Sequence, residues 1–200
     1  MMDPVLNGMN VAILVTDGFE QVELTEPKKA LEAVGALTRI VSDKFDKVRG
    51  MHHDQQGDEF TVDLLLREAD AKAFDAVLLP GGKVNAAALR NMGEAQRFLQ
   101  NIDEDHKPIA VICHGGWLLV SAGLVEGRTM TSYPALEQDI RNAGGNWVDQ
   151  EVVRDGNLVS SRKPEDIPAF NDKMVEVIAE RLQSHLRGTA DEHAVGIAGS

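Results

Sequence analysis

The segment Pro108-Ile-Ala-Val-Ile-Cys-His-Gly-Gly116 decides how this chain folds. Its first half is an unbroken aliphatic run behind a proline, the pattern of a strand buried on both faces of a parallel sheet. Its second half sets Cys113, the only cysteine, where that strand stops. Two glycines then let the backbone turn into the apolar stretch Trp117-Leu-Leu-Val-Ser-Ala122. Strand, tight turn and helix in that order predict a residue at the carboxyl end of a buried strand, where open α/β sheets form their ligand crevice.

Working outward, strand and helix patterns alternate, so the fold class expected is α/β: a three-layer sandwich with a mainly parallel sheet and helices on both faces. Asn10–Thr16 reads as a second buried strand, expected to be central. Leu31 and Val34 share a helical face behind Pro27, placing a first helical turn near the proline and a stop at Gly35. Residues 38–42 and 74–80 read as further strands, the latter ending at Gly81-Gly82. Residues 45–64 suit a hairpin or an excursion at the sheet edge. Gly93–Lys107 is an amphipathic helix with Phe98, Leu99 and Ile102 inward. Short strands are expected at 129–132, 147–153 and 158–161, with a helix over 134–143 and a closing helix over 164–186. A single domain spanning residues 9–187 follows, with flexible termini at 1–8 and 188–200.

Two hundred residues suffice for one core. A net charge of −12 opposes phosphate backbones and anionic membrane surfaces, so neither nucleic acid nor membrane is expected as a partner. A lone cysteine forms no internal disulfide, and the first apolar run is too short for a signal core, so a cytoplasmic location is the default expectation.

A free cysteine is more often a small buried hydrophobe than a nucleophile. The elbow changes that balance, because the following helix aims its positive end at the sulfur and favours thiolate. The backbone N–H of His114 sits where an oxyanion would form, and Gly81-Gly82 after the neighbouring strand, with Gly115 in the turn, supply further main-chain groups. The imidazole of His114 is equally open to a general-base role and to an orienting one, since neighbours on a tight turn often point apart. Glu20 and Glu23, in Asp17-Gly-Phe-Glu-Gln-Val-Glu-Leu24, share one face of a helical turn. Their plain reading is a solvated helix start. If the first strand lies beside the Cys113 strand, one carboxyl approaches the sulfur and the pair titrates as a coupled unit.

Other groups carry less. Adjacent His52 and His53 lack the spacing of a tetrahedral metal site, so no metal is expected. Gly81-Gly82 is not followed by Lys-Ser/Thr at phosphate-loop spacing, so no nucleotide or other cofactor is expected. Ser160, Ser161 and Arg162 read as structural groups at a strand end, and Trp117 and Trp147 as core or subunit-contact residues.

The stretches DGFEQVEL, LPGG at 79–82, AVICHGG at 110–116, TSYPAL and SSRKPEDIPAF together resemble the ThiJ/PfpI family of intracellular proteases and protein deglycases, from residue 9 to about 182. The resemblance implies a flavodoxin-like sandwich related to glutamine amidotransferases and a homodimer or higher homo-oligomer. It matches the family's nucleophile to Cys113, its acidic partner to Glu23 with Glu20 close by, and puts Tyr133 near the pocket. One departure matters. Protease-like members complete the Cys-His pair with an acid from a neighbouring subunit, and that position is Ala86 here, beside Asn85. Lacking an orienting acid, His114 is a weaker base, and amide hydrolysis suffers most. Gly116 stands where proline is common in the family. The function expected is a cysteine-dependent stress-protection hydrolase of deglycase or glyoxalase type, acting on small aldehydes such as methylglyoxal or glyoxal and their adducts. The alternatives are an intracellular peptidase and a non-enzymatic redox sensor or holding chaperone using Cys113.

Overall fold

The computed structural model describes residues 5–197, with side chains through residue 184. In chain order the elements are β1 (Asn10–Leu14), β2 (Phe19–Glu20), α1 (Gln21–Ala33), β3 (Leu37–Ser42), β4 (Lys47–His52), β5 (Gln55–Thr61), β6 (Leu64–Leu65) and β7 (Ala76–Leu79). Then come α2 (Lys83–Leu89), α3 (Gly93–Glu104), β8 (Ile109–Ile112), α4 (Gly116–Ser121), β9 (Thr129–Met130) and α5 (Glu137–Asn142). The chain closes with β10 (Asn146–Trp147), β11 (Val152–Asp155), β12 (Leu158–Ser161) and α6 (Ile167–Ile197).

Seven strands form the central sheet in the order β11-β12-β8-β7-β1-β3-β6. Every pairing is parallel except β11 with β12. Alternate residues of one strand serve opposite cores: Val11 and Ile13 join the cluster of α1 and α6, while Ala12 and Leu14 join that of α2 to α5. A strand buried on both sides must be apolar throughout, which is why β1 and β8 read as continuous aliphatic runs. The layers are those expected for the α/β class.

Several boundaries move. Helix α1 begins at Gln21, six residues before Pro27, so the proline is interior and not in the first turn. A proline there lacks the N–H that would bond the Glu23 carbonyl four residues back, and α1 gives up that bond while keeping Pro27 buried. β1 is not beside the Cys113 strand, because β7 lies between β1 and β8. The expected strand 147–153 is split into β10, in a two-stranded ribbon with β9, and β11, at the edge of the main sheet. The region 45–64 forms the β4–β5 hairpin, which joins β2 in a separate three-stranded sheet.

The termini also differ from expectation. The start is held down by residue 6: Leu6 is fully buried and its N–H donates to the Val34 carbonyl at 2.8 Å. Helix α6 continues past Leu186 to Ile197. Residues 1–4 and 198–200 of the expected flexible ends lie outside the described residues.

Candidate active site

Cys113 has φ +59, left-handed backbone that a non-glycine residue adopts only under tertiary constraint. The turn ends β8 and leads through one 3-10 turn, Cys113–Gly115, into α4. The thiol is 8% exposed at the carboxyl end of the sheet. Backbone N–H groups of His114 and Gly82 donate to the sulfur and favour its charged form, but burial dominates and pushes the thiol pKa up, with the negative charge of Glu23 adding to it. Burial of Cys113 thus works against the thiolate that the elbow and the two backbone N–H groups favour.

Glu23 is fully buried in the first turn of α1. Its reach to Cys113 needs no contact between β1 and β8, because the turn after the intervening β7 carries a residue without a side chain, Gly81. A Cβ on Gly81 would lie 2.5 Å from Glu23 Oε2, 2.7 Å from Cys113 Cβ and 2.9 Å from the His114 nitrogen. Gly81 thus occupies the narrow gap between acid and sulfur. Its N–H donates to Glu23 Oε2 at 2.7 Å, so this donor is committed to the carboxyl and is not free for an oxyanion. Glu23 Oε1 is buried without a hydrogen-bond partner at ordinary distance, and Cys113 is the side chain that interacts with the carboxyl. Desolvation by burial pushes the Glu23 pKa up to about 8, against the Gly81 and Cys113 hydrogen bonds and with help from the charge of Glu20. At neutral pH Glu23 is mainly protonated.

The imidazole of His114 does reach the sulfur, with Nδ1 3.3 Å from Sγ. The ring stacks on Tyr133, centroids 4.5 Å apart and planes at 25°, and meets Trp117 edge-on at 5.3 Å. Burial and the charge of Lys83 hold its pKa below the ordinary value. No carboxylate among the described residues hydrogen-bonds the ring. Burial thus disfavours the charged form of acid, thiol and imidazole alike, around a cavity of about 380 Å³.

A family model described as the DJ-1/PfpI family matches residues 9–177. The chain belongs to the DJ-1/PfpI family. It is 40% identical over 170 residues to a protein named deglycase from Thermococcus kodakarensis, covering 85% of this chain and 99% of the relative. It is 39% identical over 174 residues to general stress protein 18 of Bacillus subtilis, covering 86% and 98%. A third relative, from the same bacterium, carries the name "Putative cysteine protease YraA" and is 37% identical over 169 residues, 84% and 97% of the two chains. Among solved structures, a ThiJ/PfpI domain protein from Brachyspira murdochii superposes with a TM-score of 0.80 at 26% identity, covering 87% of this chain and 98% of that one.

Within this family framework, Cys113, His114, Glu20, Glu23, Gly82 and Tyr133 all line the one cavity. Gly82, at φ +86, admits no side chain: a Cβ would lie 2.4 Å from the Gly18 carbonyl oxygen. Gly81 and Gly115 do not line the cavity; Gly115 packs under the Leu79 carbonyl and serves the turn. Glu20 and Glu23 separate in role. Glu20 sits at the cap of α1 and its Oε2 accepts from the His53 backbone N–H at 3.1 Å, whereas Glu23 faces the sulfur. Ala86 is 1% exposed and Asn85 is fully buried, accepting from the Thr16 N–H and donating to the carbonyls of Pro80 and Gly81. This pair therefore braces the Gly81 turn.

Met51, His53, Lys83, Lys163 and Glu165 also line the cavity and were not expected there. The first two arrive on the β4–β5 hairpin, whose placement no local pattern reveals. Lys163 and Glu165 lie in the SSRKPEDIPAF stretch, so the resemblance carried a signal for them. Arg162 holds that loop, donating to both Asp166 carboxylate oxygens at 2.8 and 3.0 Å and to Asp149 at 2.8 Å. Among the described residues no cluster of three or more His, Cys, Asp or Glu side chains is assembled to hold a metal, and no helix is long and apolar enough to cross a membrane.

Proposed function

We propose that this chain is a cysteine-dependent hydrolase of deglycase and glyoxalase type, acting on methylglyoxal, glyoxal and their adducts. One observation carries the reading: Cys113, Glu23 and His114 share one cavity whose burial disfavours their charged forms, with Sγ 3.3 Å from His114 Nδ1 and, among the described residues, no carboxylate behind the ring. Such a site suits a small uncharged electrophile. It is poorly equipped to drive out an amide nitrogen, which needs a strong acid-base partner at the histidine.

Chemically, the S–H proton passes to His114 Nδ1 as sulfur attacks the aldehyde carbon, and the new C–O oxygen takes up a proton to give a hemithioacetal. On an aminocarbinol the same attack releases the amine. Glu23, protonated at rest, donates its proton to the oxygen and then removes the hydrogen from the former aldehyde carbon. That proton is returned to the adjacent carbon, while the neighbouring carbonyl oxygen takes the proton held by His114 and the hemithioacetal hydroxyl gives its own to Glu23, leaving a thioester of the 2-hydroxy acid with both side chains restored. Water then cleaves the thioester and restores the thiol. The net reaction is dicarbonyl plus water to lactate or glycolate, with no external oxidant or reductant. The name of the Thermococcus relative supports the deglycase half of this reading, and the name of general stress protein 18 supports a role in stress. The homo-oligomer implied by the resemblance belongs to the same proposal; Val84, 63% exposed at the cavity rim, and Phe45, 84% exposed, are apolar surface a second copy would cover.

The test sets wild type beside Cys113→Ala on methylglyoxal and on a fluorogenic peptide. The reading predicts lactate release by the wild type and background release by the variant. Equal lactate release by the variant would overturn it, and Cys113-dependent peptide turnover at catalytic dilution would assign the site to a peptidase.

A further inference from the structure

This inference rests on taking Cys113 and His114 as the reacting pair. Amid these groups, a histidine that must receive a proton from sulfur has to be held in one ring orientation, because a misplacement of about 1 Å at the reacting atoms can cost roughly 10²-fold in rate. Hydrogen-bonded carboxylates ordinarily do that work. Here, among the described residues, the ring has none, and apart from the Cys113 sulfur its contacts of defined geometry are aromatic: the Tyr133 stack on one face and the Trp117 edge.

Each of those rings is itself anchored. Tyr133 is tied to the nucleophile, its backbone N–H donating to the Cys113 carbonyl at 3.2 Å. The Trp117 indole N–H donates to Asp139 Oδ2 at 2.8 Å, and the Arg90 guanidinium lies 5.2 Å from the indole centroid. Asp139 comes from α5, across from α4, so two helices fix the indole. Among the described residues the carboxylate of this neighbourhood is thus spent on the tryptophan, one ring removed from the histidine.

We propose that Tyr133 and Trp117 form an aromatic clamp that takes the place of a carboxylate partner for His114, and that Asp139 acts through the clamp by fixing the indole. All three are positioning residues. The clamp orients the imidazole without stabilising its protonated form, so His114 takes the thiol proton only during attack and does not hold a resting ion pair. The other charged or titratable groups around the ring are Cys113, Lys83 on α2, Lys163 and Glu165 across the cavity, and Glu23 beyond the sulfur; of these only the sulfur contacts the ring.

The test measures Cys113 alkylation by iodoacetamide against pH, together with kcat and KM on methylglyoxal, in wild type, Tyr133→Phe, Tyr133→Leu and Asp139→Ala. Tyr133→Phe keeps the stack and should stay within about twofold of wild type. Tyr133→Leu should lower the alkylation rate and kcat by about 10 to 100-fold with KM little changed. It should also move the lower pH midpoint up toward the ordinary histidine value of about 6.5, since the ring is now wet. Asp139→Ala should shift rate and midpoint in the same direction by a smaller factor. Because the Asp139 side chain is 44% exposed, this variant keeps the test alive should Tyr133→Leu not fold. Wild-type rate and midpoint in both Tyr133→Leu and Asp139→Ala would overturn the clamp, as would equal losses in Tyr133→Phe and Tyr133→Leu. Absence of methylglyoxal turnover by the wild type would overturn the functional reading instead, and the alkylation profiles would still decide the clamp.

Discussion

The two flanks of Cys113 differ in kind. On one side Glu23 is fully buried at the inner wall of the cavity, one oxygen on the Gly81 N–H and the other without a hydrogen-bond partner among the described residues. On the other side His114 faces the cavity between two aromatic rings. Burial acts on both, with opposite charge consequences: it raises the pKa of an acid and lowers that of a base. The dry flank therefore stores a proton and the open flank has room for one. A thiol between them can lose its proton toward His114 while Glu23 has one to give.

The strongest way to break the contrast is to fill the gap that keeps the flanks separate. Gly81→Ala would push a methyl into Glu23, Cys113 and the His114 backbone at once, all within 3 Å. Activity measured as lactate release should fall by at least about 10²-fold.

Removing only the stored proton is next. Glu23→Gln keeps the shape and should lower kcat by about 10² to 10⁴-fold, the usual range for a lost acid-base group. The same variant sharpens the comparison through stability. Between the ordinary value of 4.5 and about 8, folded Glu23 retains a proton that the unfolded chain has released. Stability should therefore fall as pH rises through that window, by an amount on the order of a few kcal/mol. Denaturant unfolding at pH 5 and at pH 8.5 should show this loss in wild type and a flatter profile in Glu23→Gln.

On the open flank, Lys83→Met removes the charge that helps hold His114 below its ordinary pKa. NMR titration of the ring should show the midpoint rising, with thermal stability unchanged because Lys83 is exposed. The smallest effect expected is at the hinge itself. Gly116 has φ −57, and a Cβ there meets Leu136 Cδ2 at 3.3 Å and Met130 Cε at 3.6 Å, a tolerable fit. Gly116→Ala should raise stability by about 0.4 to 1 kcal/mol through the unfolded chain, read as an increase in the denaturation midpoint.

The sequence made legible what local patterning controls. β1 and β8 declared themselves because a strand packed on both faces has no polar positions to interrupt it. Phe98, Leu99 and Ile102 marked the inward face of α3 for the same kind of reason, and all three are buried. Pro27 misled because burial and the surrounding helix tolerate a missing bond that an isolated helix would not. The residues 147–153 looked continuous although the backbone leaves one sheet and joins another between Trp147 and Val152. At the site, elbow and acid pair were visible, but the protonation states were not. They depend on how deeply the packed elements bury Glu23 and Cys113, and on the turn after β7 carrying Gly81. The aromatic setting of His114 was hidden for a like reason, since Trp117, Tyr133 and Asp139 meet only in three dimensions.

Infrared difference spectroscopy of wild type against Glu23→Gln, across a pH series, reads the stored proton directly. A protonated-carboxyl band assigned to Glu23 should be present at pH 6 to 7 and disappear as pH rises through about 8. A carboxylate signal from Glu23 already at pH 6 would contradict the account.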